Sequence, residues 1–151
     1  MPVLGDLALL LARVSLGIIL MAHGWQKFTE WTLAGTAQSF EAMGAPAPSL
    51  TSALTAIAEL VGGGMLILGL LTPLVAIINV VIMLGALLLV HTDGGVFVGN
   101  GGFELVLGLA AGLLVLAAFG AGRFSIDAAL PGSRSRSRTR GTARPVAARA
   151  A

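Results

Sequence analysis

The sequence contains no cysteine, which removes disulfides, thiolate metal sites and thiol redox chemistry in one step. Charge is also scarce: only 11% of residues are Asp, Glu, Lys or Arg, where a soluble domain carries about a quarter. The alternating polar and apolar pattern of a membrane barrel strand is absent. The glycines of Gly94 to Gly102 come with neither a βαβ context nor a phosphate-binding lysine, so neither a nucleotide nor a flavin fingerprint is present. His23 and His91 lack the attachment pattern of a haem site, and with Glu59 and Glu104 they offer metal-ligand types without a diagnostic spacing. No metal is assigned.

What remains is overwhelmingly apolar. Hydrophobic residues make up 56% of the chain, and the mean hydropathy is +0.95. A hydrocarbon core needs about 20 apolar residues per helix, and four such runs occur, Leu7 to Gln26, Ser52 to Leu71, Leu74 to His91 and Gly102 to Gly120. The expected fold is all-α: a four-transmembrane-helix bundle, a short amphipathic outer-loop helix and a disordered basic C-terminal tail. In the one long loop, Leu33, Ala37, Phe40 and Met43 recur at helical spacing. Ser49 or Thr51 is expected to cap the helix after it, and Thr72-Pro73 to join the second and third spans as an antiparallel hairpin. The first run lacks a basic leader and a small-residue cleavage site, so it is expected to be retained as a helix.

The formal charge of +2 conceals a division. Residues 1–132, the membrane domain, hold seven acids against Arg13, Lys27 and Arg123, a net of −4; residues 133–151 hold six arginines and no acid, a net of +6. Arginine after the fourth span favours a cytoplasmic exit, so four crossings place both termini inside. The tail, rich in Arg and Ser, is expected to be disordered and to meet anionic lipid rather than nucleic acid.

Glu59 opens an otherwise apolar run, Ile57 to Pro73, where a carboxylate is costly unless it meets a partner or water. Gly62, Gly63 and Gly69 share its helical stripe, and Gly108 and Gly112 form a second small-residue stripe after Glu104. Both are faces for close helix packing. By depth, His23, Lys27, His91, Glu104 and Glu59 fall towards the outer side and Arg13 and Asn79 towards the inner. The outer five are the candidate ligand- or proton-handling residues, and Arg13 and Asn79 the structural polar pair. Glu59 has a second reading, a bridge to Arg13 or to a histidine that only holds the bundle. Glu59-Leu60-Val61 and Glu104-Leu105-Val106 also suggest a weak internal repeat.

From Arg13 to Asp127 the chain resembles the DoxX family of small four-helix membrane proteins. The resemblance rests on R-x-x-x-G at Arg13 and Gly17, H-G-x-x-K from His23 to Lys27, and E-L-x-G-G from Glu59 to Gly63 with its following L-x-L-G-L-x-T-P. It continues in N-G-G-x-E from Asn100 to Glu104 and G-x-G-R-x-S-x-D from Gly120 to Asp127. It implies association with quinone-linked redox systems, such as thiosulfate:quinone oxidoreductase, and with assemblies that recruit sulfurtransferase and superoxide dismutase partners. A quinone is the cofactor to consider: its carbonyls need proton donors or acceptors, which His23 or His91 with Glu59 or Glu104 offer. The chain is then expected to be a subunit of an oxidoreductase complex in a bacterial plasma membrane rather than an enzyme acting alone. The alternative is a non-enzymatic scaffold or small-solute carrier whose polar cluster is structural.

Overall fold

A computed structural model describes residues 3–130. The tail from Ser133 onward lies outside them. The described chain runs α1 (Val3–Thr29), α2 (Thr32–Ala42), α3 (Pro48–Leu68), α4 (Thr72–Ala86) continued by a π-helical turn at Leu87–His91, a 3-10 turn at Val98–Asn100, α5 (Glu104–Phe119) and the short α6 (Ile126–Ala129). No strand occurs among the described residues.

Three helices are long and apolar enough to cross a membrane: α1, α3 and α4 with its π extension. Apolar α5 has 16 residues, about 24 Å of rise against about 30 Å of hydrocarbon, so it falls short of a straight span. The helices outrun the apolar stretches at α1, which continues through Gln26, Lys27 and Phe28 because such residues keep backbone bonds in a helix as well as apolar ones do. At α3 the reverse holds. The helix stops at Leu68 because Gly69 turns left-handed, φ +69°, and its N–H returns to Leu66 O.

α1 packs along α3 and α4 along α5, while the α3–α4 hairpin and a narrower α1–α5 seam close the bundle. The α1–α3 pair is drawn together by glycine. A Cβ on Gly17 would lie 2.6 Å from Gly63 O, one on Gly63 would lie 2.8 Å from Met21 N, and Gly24 rests on the backbone of Leu60. Leu20, Leu66, Leu113 and Leu116 fill the interior completely. Leu11, Ile18, Val61, Val81, Leu88 and Leu114 point outward, an apolar exterior that suits lipid as its solvent.

Three local expectations are corrected. α3 has no side-chain cap: Pro48 takes the first-turn position after a left-handed Ala47, and Thr51 Oγ1 instead donates to Pro46 O at 3.0 Å. α2 packs on α3 through the face around Thr36, with Leu33 and Met43 left exposed at its ends. Gly108 makes no close contact, since nothing among the described residues lies within 4 Å of the position its Cβ would take. It sits on the outward side of α5, whereas a Cβ on Gly112 would lie 3.0 Å from Leu16 of α1.

Candidate functional site

The end of the bundle where α1 finishes and α3 begins is built on the α1–α3 contact. Because Gly24 has no side chain, α1 comes against the backbone of Leu60, and the residues on either side meet across a short gap. One turn beyond Gly24 and one residue before Leu60, Lys27 Nζ donates to Glu59 Oε2 at 2.5 Å. Both residues are buried, Lys27 to 7% exposure and Glu59 to 4%. The partner of Glu59 is therefore Lys27, neither Arg13 nor a histidine. Removing both charges from water is costly, and their attraction repays it only where the geometry is close.

Around this pair the chain supplies further polar support. Lys27 Nζ lies 5.9 Å from the centroid of the Trp31 ring, within cation–π range. Thr36 of α2 donates its hydroxyl to Lys27 O at 3.2 Å, which fastens α2 to the end of α1. His23 stands one turn before Lys27 on the same helix. Its Nδ1 is 2.9 Å from Ile19 O. A carbonyl can only accept, so Nδ1 carries a proton, and a ring with that tautomer presents Nε2 as its acceptor. An ammonium and a carboxylate thus meet between two adjacent helices, with an imidazole one turn away along α1.

His91 and Glu104 do not join them. His91, in the π-helical turn, donates from Nδ1 to Gly101 O at 2.7 Å, and Glu104 Oε1 accepts from Val98 N at 2.7 Å. They fasten the loop between α4 and α5, which folds back so that Phe103 N reaches Gly95 O and Glu104 N reaches Val96 O. Glu104 is exposed where Glu59 is buried, so the two Glu-Leu-Val segments occupy unlike environments. Among the described residues no three His, Asp or Glu side chains converge in a way that would hold a metal.

The opposite end of the bundle carries a network that sequence reasoning missed. Arg13 donates to Ile67 O at 2.7 Å and Leu66 O at 3.2 Å, capping the last turn of α3, and also to Phe124 O. Asp127 accepts from Leu71 N at 2.7 Å and Thr72 N at 2.9 Å, capping α4 from 55 residues away in sequence. Asp6 binds the backbone N–H and the guanidinium of Arg123, the latter at 2.7 Å. A Cβ on Gly69 would lie 2.5 Å from Arg13 Nη1 and from Ser125 Cβ, so the turn must have glycine there. The signal was present in the closing G-x-G-R-x-S-x-D, but what those residues touch lies in α1 and in the α3–α4 turn. Asn79, the other inner residue, donates from Nδ2 to Val75 O at 3.0 Å and to Ala58 O at 3.4 Å. It stands against Gly62, whose added Cβ would lie 2.9 Å from that nitrogen.

Inner membrane protein YqjF of Escherichia coli is 35% identical over 127 residues, 84% of this chain and 95% of that protein. Bacillus subtilis has a protein named putative oxidoreductase CatD, 34% identical over 102 residues, 68% of this chain and 72% of that one. An uncharacterized membrane protein of Mycobacterium tuberculosis is 31% identical over 133 residues, 82% of this chain and 81% of that protein. No solved structure matches the chain. The DoxX family model matches residues 8–92, which include most of α1, all of α2 to α4 and both members of the buried ion pair. With its apolar helices, its glycine-packed α1–α3 core and these relatives, the chain is an integral membrane protein of the DoxX family.

Proposed function

We propose that this protein is a membrane subunit of a quinone-linked redox system, with Lys27, Glu59 and His23 as its proton-handling group near the outer face. The observation that carries the reading is the buried Lys27–Glu59 pair. An ion pair inside a low-dielectric bundle contributes little net stability compared with apolar residues of similar size, and ionisable groups within membrane helices are functional candidates. The B. subtilis relative's name, an oxidoreductase, agrees in reaction class. The residue types fit a quinone head, since Lys27 and His23 offer a donor and an acceptor beside the Glu59 carboxylate. A bound quinone would supply the electron chemistry. The chain's own part is to hold the head group and to give or take a proton at Glu59. Arg123 and the arginines after it put both termini on the cytoplasmic side and attract anionic lipid; a reporter fused at the C terminus is expected to be active only in the cytoplasm.

The competing reading is a scaffold or small-solute carrier in which the pair only clamps α1 to α3. The tight glycine contacts at Gly17, Gly24 and Gly63 favour it. Binding of a menaquinone or ubiquinone analogue to protein in nanodiscs separates the two, with thermal stability followed in the same samples. Lys27→Met with Glu59→Leu removes both charges together and so keeps the fold. Saturable binding by the wild type that this folded double variant loses supports the redox reading. Equal binding by both, or none by a stable wild type, overturns it.

A further inference from the structure

α5 is about 6 Å shorter than the hydrocarbon layer it has to cross, and the contacts at its two ends show where the length is missing. Where α5 finishes, Arg123 bonds Asp6 of α1 and leaves its side chain 62% exposed. An exposed guanidinium needs water or head groups, so Asp6 marks one boundary of the layer. From Asp6, α1 rises about 15 Å to Leu16, which packs beside Gly112 of α5. From Gly112, α5 rises about 12 Å more to its first residue, Glu104. Glu104 therefore stands about 27 Å from the Asp6 level, just short of the far boundary of a layer of about 30 Å.

The loop before α5 brings apolar surface to that level. Val96 O accepts from Glu104 N at 2.9 Å, and Val98 N donates to Glu104 Oε1 at 2.7 Å, so Val96, Phe97 and Val98 run beside the first turn of α5. All three are exposed, Val96 to 50%, Phe97 to 67% and Val98 to 49%. Single apolar side chains on a wet surface are ordinary, but three in succession call for an apolar neighbour. Leu105 and Leu107 continue the exposed apolar surface along α5. The backbone suits the same place, because polar groups left unpaired beside hydrocarbon are costly. The carbonyls of Gly95, Val96, Phe97 and Val98 each accept a backbone N–H from residues 100–104. Glycine makes the fold-back this close: a Cβ on Gly94 would lie 2.5 Å from Gly101 O, and one on Gly102 would lie 2.5 Å from Gly95 O.

We propose that the Val96-Phe97-Val98 turn is a lipid-binding surface, its three side chains set into the edge of the bilayer where hydrocarbon meets head groups, and that it completes the crossing that α5 begins. The partner is lipid because the turn lies at the level where the layer ends and joins the apolar face of α5. The surface is separate from the Lys27–Glu59 pair and stands whether or not the redox reading holds.

The chain has no cysteine, so a single one can carry a spin label without a background signal. Val96→Cys, Phe97→Cys and Val98→Cys are labelled in the full chain in nanodiscs, beside Leu114→Cys on the exposed face of α5 and Glu30→Cys beyond α1. Electron paramagnetic resonance then compares collisions with oxygen, which concentrates in hydrocarbon, and with a neutral nickel chelate, which stays in water. Oxygen is expected to lead at Leu114 and the chelate at Glu30. At all three loop positions oxygen should lead, by less than at Leu114 because the turn is shallower. A lead by the chelate at Phe97 would place the turn in water and overturn the proposal. So would a label at Phe97 shielded from both reagents, which would mean that protein, a second copy of this chain included, covers the turn. Helix content is followed in the same samples; should Phe97→Cys lose it, Val96→Cys and Val98→Cys decide by the same criteria.

Discussion

Lys27 and Glu59 show how much the loss of one charge differs from the loss of two. Lys27→Met leaves a carboxylate buried among apolar helices, a change that costs about 3–5 kcal/mol when a buried pair is broken. The double change to Met and Leu removes the demand altogether and should restore most of that loss, as thermal unfolding in detergent would show. Asp127 works differently, through the backbone. Leu71 is held in a left-handed conformation, φ +49°, and its N–H and that of Thr72 both point to the Asp127 carboxylate. Asp127→Ala removes the cap and is expected to cost about 1–2 kcal/mol; Asp127→Asn, which still accepts, should cost less. Glu59 was recognisable in the sequence as an acid in an apolar run. Its partner was not, because Lys27, His23 and Arg13 were all available on the same helix and only the approach of α1 to α3 selects among them.

Among the elements, the glycines of the two small-residue stripes do not all face protein. α3 turns Gly62 and Gly63 inward, to Asn79 of α4 and to Gly17 and Met21 of α1, whereas α5 turns Gly108 outward. Gly63→Leu should force α1 and α3 apart, costing about 1–3 kcal/mol or more where backbone cannot yield. Gly108→Leu adds a side chain to open surface and should stay within about 0.5 kcal/mol of the wild type. Purified side by side, the first variant should melt earlier and the second with the parent. The spacing of glycines is the same kind of signal on both helices. Which glycine faces protein and which faces lipid follows from how the other helices surround it, and glycine has no side chain to bias that choice.

For the whole molecule, the segment after α5 fastens α1 and the start of α4 at the end of the bundle away from the Lys27–Glu59 pair. Phe124 O receives Arg13 of α1, Arg123 pairs with Asp6, and Asp127 caps α4. The Asp6–Arg123 bridge alone is half in solvent, with the Arg123 side chain 62% exposed, and an exposed pair contributes about 0.2–1 kcal/mol. A chain ending at Phe119 loses the whole set together. It also leaves the buried Arg13 guanidinium without the Phe124 carbonyl and α4 without its cap, so truncation there should abolish a cooperative melt, while ending the chain after Gly132 should preserve it.

Composition and periodicity alone determined that this chain is helical, apolar and built for a bilayer, because a hydrocarbon solvent requires long apolar segments with internally satisfied backbones. They also singled out Glu59, Arg13 and Asn79, since each polar group in such a segment is an exception that needs a partner. Tertiary structure decided the partners: Lys27 for Glu59, carbonyls of α3 and Phe124 for Arg13, and two carbonyls for Asn79 with one oxygen left over. It also divided one expected outer cluster in two, keeping Lys27 and Glu59 between α1 and α3 and leaving His91 and Glu104 to the α4–α5 loop. Depth along a helix can be counted from the sequence at a fixed rise per residue. The direction a side chain faces around the bundle depends on helix rotation and neighbours, which arise only when the helices pack.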